Sequence, residues 1–180
     1  MRGHIALVAA ALVVGAAPAS AAPSVYRYGP FSVESGKSCL RATLGTPVLH
    51  TGTTGGTVPC GNTFSYWFFI ETTDGRAVLI QNHHTGSCLS PHVESDSDSG
   101  DLDGDDVEAV RCDDDDADQR WYIGTRDGGA TTTLRTEDDR YITISSTGDT
   151  VALDEQTTAA KPQSWTLRSV TSSRPPPDLP

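Results

Sequence analysis

Among the four cysteines of this 180-residue chain there is no Cys-x-x-Cys pair, so the closely spaced thiolates of a structural zinc site are missing. There is also no Gly-x-Ser-x-Gly element to mark a nucleophile. Past the N-terminal region only His50, His83, His84 and His92 remain as imidazoles, and no motif ties them to a serine or an aspartate. Positive charge is scarce: 13 Lys and Arg stand against 24 Asp and Glu, for a formal charge of −11. That balance repels nucleic acid and anionic membranes, and leaves cations, neutral ligands or a basic protein as partners. Long helical patterns are missing too, since the body is Gly, Thr, Ser and Asp interrupted by short apolar runs. These absences argue against an enzyme and against a nucleic-acid binder.

The N-terminus is the one strongly apolar stretch. Arg2 precedes a run from Ile5 to Ala17 broken only by Gly15, and Pro18 leads into Ala19-Ser20-Ala21, a small-x-small cleavage pattern. The run is too short for the roughly 20 residues a bilayer demands. Residues 1–21 are therefore expected to be a signal peptide, the protein to be secreted and extracellular, and no segment to span a membrane. Loss of Arg2 leaves the mature chain one charge more negative. The remainder, one domain's worth of chain, divides into a lead-in over 22–30, a domain over 31–170 and a Pro-rich tail over 171–180. The Ala-rich export signal and Gly/Thr/Asp-rich body suit a secreted bacterial protein.

An even number of cysteines in an oxidising compartment points to disulfides. Pairing neighbours along the chain would close loops of about 20 and 24 residues, each worth about 3–4 kcal/mol on a loop-entropy estimate. Paired sulfurs have no reactive thiolate, so a cysteine nucleophile is not expected.

Short strands are expected over 31–33, 66–71, 77–81, 107–111, 121–123, 131–135, 140–144, 150–153 and 165–170, divided by turn clusters at 53–56, 85–87 and 127–129. Many short strands with frequent turns describe an all-β barrel or sandwich. An internal repeat narrows the choice. The first unit runs through Gly36-Lys37-Ser38-Cys39-Leu40, Val58-Pro59-Cys60 and Ser65-Tyr66-Trp67. The second runs through Gly86-Ser87-Cys88-Leu89, Ala109-Val110-Arg111-Cys112 and Gln119-Arg120-Trp121. The third runs through Arg140-Tyr141-Ile142, Val151-Ala152-Leu153 and Gln163-Ser164-Trp165. All three tryptophans of the chain fall at one place in the unit. Units this small must pool their apolar faces in a common core. Trp67, Trp121 and Trp165 are therefore core residues whose indole N–H needs a partner, and Gln119 and Gln163 are structural polar contacts.

With two in-phase cysteine pairs and two Gln-x-Trp elements, the three units resemble the repeats of the ricin B-chain-like β-trefoil lectins, over about residues 31–169. The resemblance implies an all-β trefoil of twelve strands with disulfides Cys39–Cys60 and Cys88–Cys112, and a third unit without a bridge. It also implies carbohydrate binding in shallow sites, each with a carboxylate two residues past the first cysteine, an aromatic platform, and an Asn beside the signature glutamine. This chain departs from that set. The carboxylate position holds Arg41, Ser90 and Thr143, and the position before the glutamine holds Phe64, Asp118 and Pro162. No Phe, Tyr or Trp lies between Leu40 and Asn62, between Leu89 and Arg120, or between Thr143 and Ser164, which leaves His50 or His92 as a weak platform. The candidate carbohydrate residues are Arg41, Ser90, His92, Asp118 and Thr143. The expectation is a non-catalytic module binding glycans through an atypical or degenerate site. A structural or protein-binding trefoil, with a basic protein as partner, is the alternative.

Thirteen of the 24 acidic residues crowd into residues 94–118. Like charges so concentrated repel, which predicts a solvated, mobile loop unless a cation neutralises it. Calcium is the first candidate, with Asp96, Asp98, Asp101, Asp103 and Asp105 as ligands, although the spacing departs from the EF-hand pattern. Simple solubility explains the same run, and no cofactor is otherwise expected. His83, His84 and His92 form a second candidate, a transition-metal patch, against plain exposure in a turn.

Overall fold

A computed structural model describes residues 26–42, 50–53, 60–92, 106–144, 151–156 and 163–171. The proposed signal peptide, all but the first residue of the Pro-rich tail, and Asp96, Asp98, Asp101, Asp103 and Asp105 lie outside the described residues.

Twelve strands run along the chain: β1 (Arg27–Ser35), β2 (Ser38–Arg41), β3 (His50–Thr53), β4 (Tyr66–Glu71), β5 (Val78–Asn82), β6 (Cys88–His92), β7 (Asp106–Val110), β8 (Tyr122–Arg126), β9 (Thr131–Arg135), β10 (Tyr141–Ile144), β11 (Val151–Asp154) and β12 (Thr166–Ser169). Apolar runs foretell nine of them. The other three, β2, β3 and β6, read as Ser-Cys-Leu-Arg, His-Thr-Gly-Thr and Cys-Leu-Ser-Pro-His. Their own pattern is too weak to announce a strand, and pairing decides them. Thr53, assigned to a turn from sequence, ends β3 opposite Ser38. β1 begins at Arg27, inside the stretch 22–30 expected as a lead-in, because Arg27 and Tyr28 already pair with Ile70 and Phe69 of β4.

Six strands close a barrel. β1 pairs β4, β4 pairs β5, β8 pairs β9 and β12 pairs β1. The remaining two seams are bridges made by tryptophans, Val78 with Trp121 and Thr132 with Trp165. Trp67 makes the equivalent pairing with Phe31. The other six strands form the hairpins β2–β3, β6–β7 and β10–β11, one per unit, at the end of the barrel where β1 turns into β2. This is the threefold, twelve-stranded β-trefoil that the resemblance implies.

The core follows the repeat. Trp67, Trp121 and Trp165 are buried with Val33, Leu40, Phe69, Ile80, Leu89, Leu134, Ile142 and Leu153. Each indole N–H donates to the carbonyl just past the first cysteine position of its own unit: Leu40 at 3.0 Å, Leu89 at 3.0 Å and Ile142 at 3.2 Å. The polar atom that a buried tryptophan must satisfy thus locks each hairpin to the barrel. Disulfides join Cys39 to Cys60 and Cys88 to Cys112. A second cluster of Phe68, Ile70 and Leu79 packs around the latter bridge on the barrel's outer side. In the third unit Tyr141 stands where the first cysteine would be, and the Arg126 guanidinium lies 5.9 Å from its ring centre.

Candidate functional site

The hairpin registers show what faces each residue at the sugar-carboxylate position. Arg41 opposes His50 and Thr143 opposes Ala152. Ser90 opposes Glu108. Directly opposed residues of an antiparallel pair share a face, with Cβ atoms about 4.5–5.5 Å apart. Only in the second unit, then, does the hairpin bring a carboxylate beside the position that lost one. Spacing along a single strand hid this, because the substitute comes from β7.

Ser90, Glu108, Asp113, Asp118 and Gln119 line an open concavity of about 1010 Å³. Gln119 is buried and holds the loop after Cys112: its Nε2 donates to the Arg111 carbonyl and to Asp116 Oδ2, both at 3.0 Å, and its Oε1 accepts the Asp113 N–H at 3.0 Å. The structural role expected for Gln119 is therefore specific: it shapes the rim of the site. Asp118 sits exposed in a short 3-10 turn over Ala117–Gln119. It also lines a neighbouring depression of about 310 Å³ with Pro91, Glu137 and Arg140.

The acidic run after Cys112 is a folded turn, which corrects the expectation of a loop loosened by repulsion. Its carboxylates bind backbone donors. Asp113 Oδ1 accepts the Asp115 N–H and Asp116 Oδ1 the Asp118 N–H, each at 3.0 Å. Asp114 Oδ2 accepts the Thr73 N–H at 3.0 Å and also the Thr73 hydroxyl. Arg120 donates to the Asp114 carbonyl at 3.0 Å and lies 3.5 Å from Asp74. Hydrogen bonds to ionised carboxylates are strong enough to offset the crowding of charge. Asp74 is held below the usual carboxylate range, first by the Thr72 hydroxyl, then by the Arg76 N–H and the nearby arginines.

The remaining candidates are scattered. Thr143 is 8% exposed, and its Oγ1 donates to the Tyr141 carbonyl at 3.0 Å and accepts from Gln163 Nε2 at 3.1 Å. It is a structural hydroxyl, and the third unit presents no sugar-facing group there. Arg41 ends β2 with a buried Nε that makes no hydrogen bond among the described residues. Only the backbone of His92 is described, at the end of β6 opposite Asp106. His83 and His84 are not loosely exposed. His83 is buried and stacks on Phe68 with ring centres 5.3 Å apart, and the His84 ring lies 3.9 Å from Phe64 with Nδ1 3.0 Å from the Thr63 hydroxyl. Among the described residues, no three His, Cys, Asp or Glu side chains come together to hold a metal ion, and no helix is long and apolar enough to cross a membrane.

Residues 63–144 match the family described as ricin-type beta-trefoil lectin domain-like. No curated protein matches the chain. Among solved structures, the chain is similar to the Polyporus squamosus lectin bound to a human-type influenza-binding epitope, Neu5Acα2-6Galβ1-4GlcNAc, at 14% identity and a TM-score of 0.62. The match covers 78% of this chain and 49% of that one, so the chain spans about half the lectin's length. It is also similar to a GlcNAcα1-4Gal-releasing endo-β-galactosidase from Clostridium perfringens, at 15% identity and a TM-score of 0.61, over 79% of this chain and 33% of that one. A third similarity is to ThreeFoil, a designed threefold-symmetric protein, at 12% identity and a TM-score of 0.59, over 79% of this chain and all of that one. At these identities the likeness establishes the fold. The chain is a β-trefoil, and its residues 63–144 are similar to a ricin-type β-trefoil lectin domain.

Proposed function

We propose that this protein is a secreted, non-catalytic glycan-binding module whose site is the concavity of the second unit. The observation that carries it is the Ser90–Glu108 pairing across β6 and β7, which returns a carboxylate to the hydroxyl-binding position inside an open concavity. Carboxylates that accept sugar hydroxyls are the polar contacts such a site needs. Glu108 and Asp118, which both line the concavity, would accept hydroxyls from the ligand, while Gln119 keeps the rim in place. The lectin-like region over 63–144 includes every one of these residues. Glu108 is half-buried, and Asp113 and Asp118 are exposed.

A glycan array probed with the full chain, with and without Ca²⁺, tests the proposal. Retention of a defined glycan family that drops at least tenfold in both Glu108→Gln and Asp118→Asn is the expected result. A folded chain that binds no glycan would overturn it. Binding that appears only with Ca²⁺ would assign the ion a role, and loss of that dependence when Asp96, Asp98, Asp101, Asp103 and Asp105 are replaced by Asn would place it on those residues.

A further inference from the structure

The repeats lack an aromatic platform, yet exposed aromatic rings occur elsewhere on the molecule. Tyr26 and Tyr28 are 60% and 48% exposed; with Ile123 they are the large hydrophobic side chains left open among the described residues. Both tyrosines belong to the far end of the barrel from the hairpins. The register puts Tyr28 opposite Phe69, and the Glu71 N–H donates to the Tyr26 carbonyl at 2.9 Å, so Tyr26 faces Glu71. Residues two apart along a strand share a face, about 6.5–7 Å from one another. Arg27 between them points the other way, over the Phe68 ring and onto Gln81 Oε1 at 2.7 Å. Tyr26, Tyr28 and Glu71 therefore form one surface, and the Tyr28 hydroxyl donates to Glu71 Oε1 at 2.8 Å.

We propose that Tyr26, Tyr28 and Glu71 form a second glycan contact at the open end of the barrel, taking the apolar faces of neutral pyranose rings. Two rings held on a paired strand offer flat C–H contact at little entropic cost, and a carboxylate beside them accepts hydroxyls. A sugar uses both features. Two part-exposed rings present only a small fraction of the roughly 800 Å² that each partner contributes to a standard protein interface. The formal charge of −11 disfavours an anionic glycan or lipid. Gly29, between Tyr28 and β1's pairing at Phe31, bends the strand at a φ of +112°. The contact lies apart from all three hairpins, so it extends the glycan-binding role on which it rests without depending on the second-unit concavity.

Affinity electrophoresis of the full chain through gels containing galactomannan, arabinogalactan or glycol chitin tests this, with the circular dichroism and urea midpoint of each variant recorded alongside. In a gel that retards the parent, Tyr26→Ala and Tyr28→Ala should each weaken binding about tenfold, and Glu71→Gln several-fold. Tyr28→Phe, which keeps the ring and loses the hydroxyl, should retain most of it. The Glu108→Gln/Asp118→Asn pair should leave measurable retardation. A folded Tyr26→Ala/Tyr28→Ala protein that migrates like the parent's bound form would overturn the second contact and leave the proposed function standing. So would a patch that proves to be a dimer surface, seen as a parent dimer becoming a monomer in that variant with retardation unchanged. A parent retarded in none of the gels would overturn this contact for those polymers, and an array with no retained glycan would overturn both proposals.

Discussion

Gln163 Nε2 donates to Thr143 Oγ1 at 3.1 Å and to the Glu155 carbonyl at 2.7 Å. The signature glutamine of the third unit thus uses the hydroxyl that occupies its own unit's sugar-carboxylate position. In the second unit the corresponding glutamine turns to the rim loop instead, and Ser90 stays at the edge of the concavity with its Oγ 3.3 Å from the Pro91 carbonyl. Both hydroxyls are buried, and that of the second unit lines the open concavity.

Thr143→Ala should therefore leave glycan binding unchanged while lowering stability by about 1 kcal/mol, the worth of a buried hydrogen bond. Ser90→Ala, which removes an equally buried hydroxyl that donates to the Pro91 carbonyl, should lower stability to a similar degree and also weaken binding. Unfolding curves and array binding for the two variants check this pair. Loss of binding in Thr143→Ala at an unchanged midpoint would contradict the assignment.

Trp121→Phe retains most of the apolar contact but removes the donor to the Leu89 carbonyl, leaving a buried acceptor unsatisfied. A loss of about 1–3 kcal/mol is expected by urea denaturation. Trp67→Phe and Trp165→Phe should cost similar amounts, since their indoles reach Leu40 and Ile142 in the same way. A markedly smaller effect in one unit would show that its hairpin is held by other contacts.

Replacing both Cys88 and Cys112 by Ala should cost about 3 kcal/mol, because it reopens a loop with a sequence separation of 24. Cys112 also begins the segment that carries Asp113 to Gln119, so binding at the second unit should weaken in parallel. The same pair of changes at Cys39 and Cys60 should cost comparable stability without touching that segment. Calorimetry and the array, run on both double variants, separate the two effects.

Gly29 combines a φ of +112° with a Cβ position that would fall 2.8 Å from the Trp67 carbonyl oxygen. Gly29→Ala is expected to cost about 2 kcal/mol, from backbone strain and the close approach together. A thermal melt reads the loss, and it should exceed that of Gly75→Ala, where φ is also positive but no heavy atom lies within 4 Å of the new Cβ.

Asp74 supplies a pH dependence. Its folded-state pKa lies below the unfolded value, so its contribution to stability is present above the unfolded pKa and fades as pH falls through the folded one. Asp74→Asn should lower the urea midpoint at pH 7, and the gap to the parent should narrow towards pH 3. A gap that stays constant across that range would place the effect of the substitution in packing.

The trefoil was legible because its signals are repeated and local. Three tryptophans in phase, two glutamines and two cysteine pairs marked the units, and burial of each indole in a shared core follows from the need of small units to pool apolar surface. The strands β2, β3 and β6 were not legible. Ser38–Arg41 and His50–Thr53 have almost no alternation of their own and become strands by pairing with neighbours. His83 and His84 look like exposed turn residues in sequence, yet Phe64, Phe68 and Tyr66 surround them in the fold.

The amino-acid sequence by itself determined the threefold all-β architecture, the residues that anchor each hairpin, and the loss of the usual carboxylate at positions 41, 90 and 143. Only the tertiary structure decided which of these positions stands opposite a carboxylate. A hydrogen-bonded hairpin sets Glu108 across from Ser90 although 17 residues separate them in the chain, and that register cannot be read along either strand. Tertiary pairing likewise sets Glu71 beside Tyr26 and Tyr28, since β4 meets β1 only when the barrel closes. Side chains become neighbours there through backbone pairing between distant strands, which a one-dimensional pattern does not contain.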